Sequence, residues 1–245
     1  MRTETFKDEF EPYYDNLDHI VEEIIIPSVS EGIAKYYECC RFKLKSVWYT
    51  ERRVQEWDDK YRSGLLECIS SRELGHLRLT EMSRKGNKAK CYFPFYEAME
   101  FENLLSLGKS CLDCFSKALG SMYEQKAPNN ISKLITVLET NSNQPKAVEL
   151  LDVVKNLNRL LGVVIDPKAG KKSIRDLINH RERVDIFFTI REIDGDYTLS
   201  EGALLNMDHP ELPMFPNYRV TNIGAKIHAL LSGVIEKSFK LQFES

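Results

Sequence analysis

Arg175 and His180 stand five residues apart in the stretch AGKKSIRDLINHRERVD (169–185), with Lys171, Lys172, Asp176 and Asn179 around them. A guanidinium matches phosphate geometry and keeps its charge at every physiological pH. An imidazole gives or takes a proton near neutrality. Together they offer what breaking a phosphate ester without a metal requires: a hold on the anion and a group that moves a proton.

Local structure organises these groups. Ser173 followed by Asp176 fits a capping box, so the helix starts at Ile174 and Arg175. Unpaired amides and the helix dipole favour an anion at such a start. Lys171, Lys172 and Arg175 add positive charge there. Asp176 and His180 are four apart and share a helix face, so the carboxylate can orient the ring. Arg175 and His180 lie about 140° apart around the helix, given ~100° per residue. They need a second wall to act together, from another helix or from the same helix of a second copy. The plain alternative is a solvated helix start whose lysines contact only water.

Other motifs carry less. GKKS lacks the glycine of a phosphate-binding loop, because Ile165 stands five positions before Gly170. Cys111 and Cys114 form a C-x-x-C pair inside a helical apolar pattern. No second pair at ligand spacing accompanies them, so they read as small core residues rather than metal ligands. His19, His76, His209 and His228 are isolated, and no H-x3-H spacing occurs. We expect no metal and no cofactor.

The elements that hold the 169–185 stretch are mostly helical. NLDHIVEEIIIPSVSEGIAKYYECCRFKLKSVW reads as helix interrupted at Pro27. ERRVQEWDDKYRSGLLECISSREL reads as a second helix, with Val54, Trp57, Tyr61 and Leu65 at helical spacing. SRKGNKAK reads as an exposed basic turn, and the segment after it is broken at Pro94. From about residue 98, Phe101, Leu104, Leu105, Cys111, Leu112, Phe115, Leu119 and Met122 form one apolar stripe. ISKLITVLE and QPKAVELLDVVKNLNRLLGVVI follow as helices, with Pro145 suited to a first turn. SIRDLINHRERVDIFF reads as the next helix. The period then changes to two, giving a β-hairpin over 186–200 around Asp194–Gly195. A closing helix over 220–240 carries Ile223, Ile227, Leu230, Leu231, Val234 and Ile235 on its apolar face. The expected fold class is mainly α. Residues 1–97 form a helical N-terminal region. Residues 98–245 form a helical domain with one inserted hairpin.

Composition sets outer bounds. The chain has 245 residues, 42% hydrophobic and 29% charged, enough for one large domain or two small ones. A net charge of −3 argues against a protein that coats nucleic acid non-specifically, and leaves room for a local basic site. The start has no apolar run behind a basic head, and the longest apolar runs are too short to span a bilayer. Six scattered cysteines suit reduced thiols in a cytoplasm, with no membrane partner expected.

RDLINH at 175–180 resembles the R-x4-H signature of HEPN domains (higher eukaryotes and prokaryotes nucleotide-binding), where a polar residue often follows the Arg as Asp176 does. The order of elements over roughly 98–240 is similar too: a long helix, two more helices, then the motif helix, a hairpin and a closing helix. The resemblance implies a four-helix bundle acting as a homodimer, with the motif helices of two copies facing each other. It implies a metal-independent endoribonuclease in toxin or phage-defence biology, with RNA as partner and a cognate antitoxin or regulator as another. His180 would move the proton and Arg175 would hold the scissile phosphate. Asp176 and Asn179 would position substrate, with Lys171 and Lys172 on the flanking phosphate. A second register stays open, that of relatives reading R-N-H-x-x-H-x-D. There Asn179, His180 and Asp185 match, while Ile178 and Arg183 replace the Arg and His. That register implies a non-catalytic module binding RNA or a protein. A structural helical subunit with a coincidental R-x4-H is the third reading.

Overall fold

A computed structural model of the chain describes residues 16–71, 80–84, 87–92, 94–161, 164–165, 175, 186–193, 196–199, 203–204 and 219–243. The fold is mainly helical. Its main helices are α1 (Glu31–Ser70), α2 (Phe95–Gly120), α3 (Ile131–Thr140), α4 (Pro145–Leu161) and α5 (Val220–Phe243). The strands are β1 (Thr80–Arg84), β2 (Asn87–Tyr92), β3 (Ile186–Ile193), β4 (Asp196–Leu199) and β5 (Ala203–Leu204). No described helix is long and apolar enough to cross a membrane.

Pro27 shapes the entry to α1. A proline cannot donate to the helix ladder, and its ring crowds the carbonyl four residues back. The chain answers with a π-helical turn over Ile20–Ile25, closed by the Ile26 amide on the Val21 carbonyl. A 3₁₀ turn over Ile26–Ser28 then ends in extended backbone at Val29. Beyond it α1 runs for 40 residues, about 60 Å at 1.5 Å per residue. The sequence suggested two helices here, parted between Trp48 and Glu51. The helix passes straight through, because no Pro or Gly lies between residues 33 and 63 and because Thr50 and Glu51 are buried by packing.

The chain divides into two compact units, each assembled from separate stretches. Unit 1 comprises Met1–Ser46, Leu107–Gly162 and Ala229–Ser245, and unit 2 comprises Val47–Ser106 and Val163–His228. Residues on both sides of position 97 enter unit 2, and α2 runs unbroken across that position.

Unit 1 is a packing of helices. Cys111, Leu112, Phe115 and Leu119 of α2 are buried, as the apolar stripe predicts. So are Ile131, Leu134 and Leu138 of α3, and Ala147, Leu150, Val154, Leu157 and Leu161 of α4. Tyr37 of α1 meets Phe239 of α5 edge-on at 4.7 Å, and Phe115 lies 6.3 Å from the same ring. Asn130 caps α3, its side chain accepting the Lys133 amide at 2.9 Å. Pro145 occupies the first position of α4. Helix α2 ends at Gly120, earlier than a stripe reaching Met122 suggests. There the Pro128 ring fills the space where a β-carbon would stand.

Unit 2 carries the sheet. Strands β3 and β4 form the expected antiparallel hairpin, with Ile193 opposite Asp196. Ile186, Phe188 and Ile190 are buried while Arg191 is exposed, the alternation of a half-buried strand. Helix therefore does not extend to Phe188, contrary to the reading of SIRDLINHRERVDIFF. The basic stretch 80–92 is not a bare turn. It is a second hairpin, β1–β2, with Arg84 opposite Asn87, and β2 pairs with β3. The sheet order is β1-β2-β3-β4, with β5 pairing the start of β3. The 186–199 hairpin is thus part of a sheet that also uses strands from the first hundred residues. Leu65 and Ile69 of α1 pack on Phe188 and Ile190 with Tyr61, Tyr92 and Leu199 around them.

Candidate functional site

Arg175 is the described member of the R-x4-H segment. Its backbone is helical, and its amide donates to the Val164 carbonyl at 3.1 Å. Its guanidinium Nη1 lies 3.5 Å from the Ile165 carbonyl, a long contact that engages one of five N–H donors. Val164 and Ile165 are fully buried, so the backbone that receives Arg175 is itself anchored in the core of unit 2. Lys171, Lys172, Asp176, Asn179 and His180 lie outside the described residues, as do Ile178, Arg183 and Asp185.

A second constellation in unit 2 was not legible as a site from the sequence. Along α1, Glu51, Val54, Asp58 and Leu65 fall at helical spacing and all are buried. Two carboxyl groups therefore sit in an apolar stripe. The Glu51 carboxyl accepts from Gln55, and burial pushes its pKa up. On α2, Glu97 is fully buried. Burial first, then the neighbouring charge of Asp58, push its pKa up to about 9. Glu97 is accordingly an acid at neutral pH, and Arg62 Nε stands 3.1 Å from Oδ2 of the neighbouring Asp58. Both groups are closed to solvent, so the pair holds a proton rather than passing it to a substrate.

Next to this pair in the chain, Trp57 and Tyr96 belong to a group of rings and cations. Trp57 stacks on Tyr96 with centroids 4.8 Å apart and planes 17° apart. The Lys60 ammonium stands 4.7 Å from the Trp57 ring, and the Arg53 guanidinium 6.0 Å from Tyr49. Arg53 Nε also donates to Glu100 at 2.7 Å. Phe95 is 58% exposed and Tyr96 49%. Exposed rings beside cations are the surface on which single-stranded bases stack. The signal in the sequence was the aromatic content of KSVWYTERRVQEWDDKY and CYFPFYEAM. It could not be read as a surface until α1 and α2 were seen to bring the two segments together.

His228 is buried on α5 and is no catalyst. Burial, and then the charge of Arg52, pull its pKa down to about 4, so it stays neutral. His19 is exposed, and His76 and His209 lie outside the described residues. Among the described residues no group of three or more His, Cys, Asp and Glu is arranged to hold a metal ion. A groove of about 520 Å³ in unit 1 is lined by Tyr36, Met122, Tyr123 and Glu124 among others. Its lining has a carboxylate and no cation, which does not suit a phosphate.

No protein-family model, no curated protein and no solved structure matches the chain.

Proposed function

We propose that the chain is a cytoplasmic, metal-independent endoribonuclease of HEPN type, with a four-helix bundle that works as a homodimer. The observation that carries this reading is the RDLINH segment, with Arg175 and His180 five apart behind two lysines. The helical backbone of Arg175 supports it, and so does its anchorage on buried Val164 and Ile165. His180 takes the proton of a 2′-hydroxyl or supplies one to the leaving oxygen. Arg175 neutralises the charge that develops on the phosphate. Lys171 and Lys172 draw in the neighbouring phosphate, and Asp176 and Asn179 position the strand. The exposed rings of the α1–α2 strip add a stacking surface for single-stranded RNA. Toxin or phage-defence biology, with a cognate antitoxin or regulator, is the setting this activity suits.

The test is cleavage of single-stranded RNA by purified protein with a chelator present. The expected product ends in a 2′,3′-cyclic phosphate, and DNA resists. A second reading is a non-catalytic module that binds RNA or a partner protein. It is favoured by the Arg175 guanidinium facing a backbone carbonyl, as a structural arginine does. Intact RNA affinity with no cleavage across a varied RNA pool selects that reading.

A further inference from the structure

Four of the six cysteines meet in unit 1. Adjacent Cys39 and Cys40 lie on α1, and Cys111 and Cys114 lie one turn apart on α2. All four are free thiols. They fall into two layers. Cys40 and Cys111 are fully buried, with Cys111 Sγ directed at the Cys40 carbonyl oxygen at 3.9 Å. These two are small core residues, as the sequence suggests for Cys111. Cys39 and Cys114 are different. Both are half-buried, and their sulfur atoms are 3.1 Å apart. That separation is about 1 Å longer than a disulfide bond of about 2.05 Å, so a small side-chain movement closes it.

We propose that Cys39 and Cys114 form a modification site, a thiol pair that a hydroperoxide oxidises reversibly to a disulfide joining α1 to α2. The core pair beneath them has no comparable access to solvent. Burial, and then the Cys39 thiol, push the Cys114 thiol up to about 12. Cys114 therefore keeps its proton, and Cys39, half-buried at 3.1 Å from it, is assigned as the sulfur that meets the oxidant. In the first step the Cys39 thiolate attacks one peroxide oxygen. The O–O bond breaks, Cys39 becomes a sulfenic acid, and the released hydroxide (or alkoxide) takes the proton that Cys39 gave up. In the second step the Cys114 sulfur attacks the Cys39 sulfur and expels hydroxide, which leaves as water with the Cys114 proton. Two thiols are oxidised by two electrons, and one peroxide is reduced to two water molecules, or to water and an alcohol. A dithiol reductant reverses the change by exchange.

The test uses the full chain, reduced and then freed of reductant. One equivalent of hydrogen peroxide is added, remaining thiols are alkylated under denaturing conditions, and peptides are mapped without reduction. The expected result is the loss of two alkylatable thiols per chain and a peptide linked through Cys39 and Cys114, both reversed by dithiothreitol. Wild type alone decides the matter, so the outcome does not depend on a variant folding. Cys114→Ser should leave Cys39 as a sulfenic acid that dimedone traps. Cys39→Ser should leave Cys114 fully alkylatable. Full alkylation of both residues after peroxide overturns the proposal. So does a linked peptide built from other cysteines, or overoxidised Cys39 beside a free Cys114 in wild type.

Discussion

Glu97 of α2 faces Asp58 of α1 in a closed site, and Glu97 keeps its proton at neutral pH. Neither Glu97 oxygen has a donor partner if the group is taken as a carboxylate. The proton resolves this, because a protonated Glu97 is itself the donor to Asp58. Arg62 balances the charge that remains on Asp58. Helices α1 and α2 thus meet through a neutral acid, an ion and a cation, where apolar side chains would be usual.

A pH dependence of stability follows from Glu97. Its pKa is about 9 in the folded chain against an ordinary 4.5. As pH rises between these values the unfolded chain gives up the proton and the folded chain keeps it. Stability is therefore greatest below 4.5 as far as this group is concerned, and is lost up to about 9. The slope approaches ~1.4 kcal/mol per pH unit at most. Glu97→Gln keeps the shape and removes the titration. Urea unfolding at pH 5, 7 and 9 should show wild type weakening across the series more than the variant. Parallel losses in the two proteins would show that Glu97 is ionised in the fold.

His228 acts in the opposite direction. Its pKa is about 4 in the fold against an ordinary 6.5. Its contribution is complete above 6.5 and is lost as pH falls towards 4, because the unfolded chain then gains a proton that the folded chain refuses. Between 4.5 and 6.5 the contributions of His228 and Glu97 run in opposite directions, and the raised Glu51 carboxyl acts in the same sense as Glu97. His228→Gln should make stability fall more steeply with rising pH in that window. An unchanged pH profile would show that His228 titrates alike in the folded and unfolded chain.

Gly120 is fixed by contact. A β-carbon there would stand 2.1 and 2.2 Å from the Pro128 ring atoms, which have little freedom to move. Gly120→Ala should cost about 1–3 kcal/mol, as overpacking typically does. At Gly224 the nearest atom is the end of the Leu104 side chain, at 2.9 Å, and a leucine can rotate. Gly224→Ala should be milder. Thermal melting orders the two, and a Gly120→Ala protein as stable as wild type would mean that the α2 terminus relaxes freely.

His180→Ala should lose on the order of 10²–10⁴ in cleavage rate, the usual share of general acid–base catalysis. Arg175→Ala should lose a comparable amount through the charge it puts on the transition state. Circular dichroism should show both variants folded. Cleavage that persists in both would trace the activity to a contaminant.

Several elements were legible because their causes are local. Pro27 interrupts a helix and Pro145 opens one. The hairpin over 186–200 was legible as a change of period, although the helix was read on to Phe188, where β3 already runs. The basic hairpin over 80–92 was not legible, since its short strands depend on pairing with β3 about a hundred residues later. The R-x4-H site was legible only as a motif, and of its named residues Arg175 alone lies among those described.

By itself the sequence determined the helical class, the break at Pro27, the helix start at Pro145, the hairpin over 186–200 and the candidate pair at 175 and 180. Each is written in residues a few positions apart, through φ restriction, capping and periodicity. Tertiary structure alone decided that Asp58 meets Glu97, that Trp57 stacks on Tyr96, and that Cys39 reaches Cys114 across 75 positions of chain. Those relationships depend on how α1 packs against α2. Packing sets the rotation of one helix about its axis relative to another, and that rotation decides which carboxyl loses its water and which thiol gains a neighbour. No window of sequence encodes it, because the energy that fixes it is shared among buried contacts along both helices.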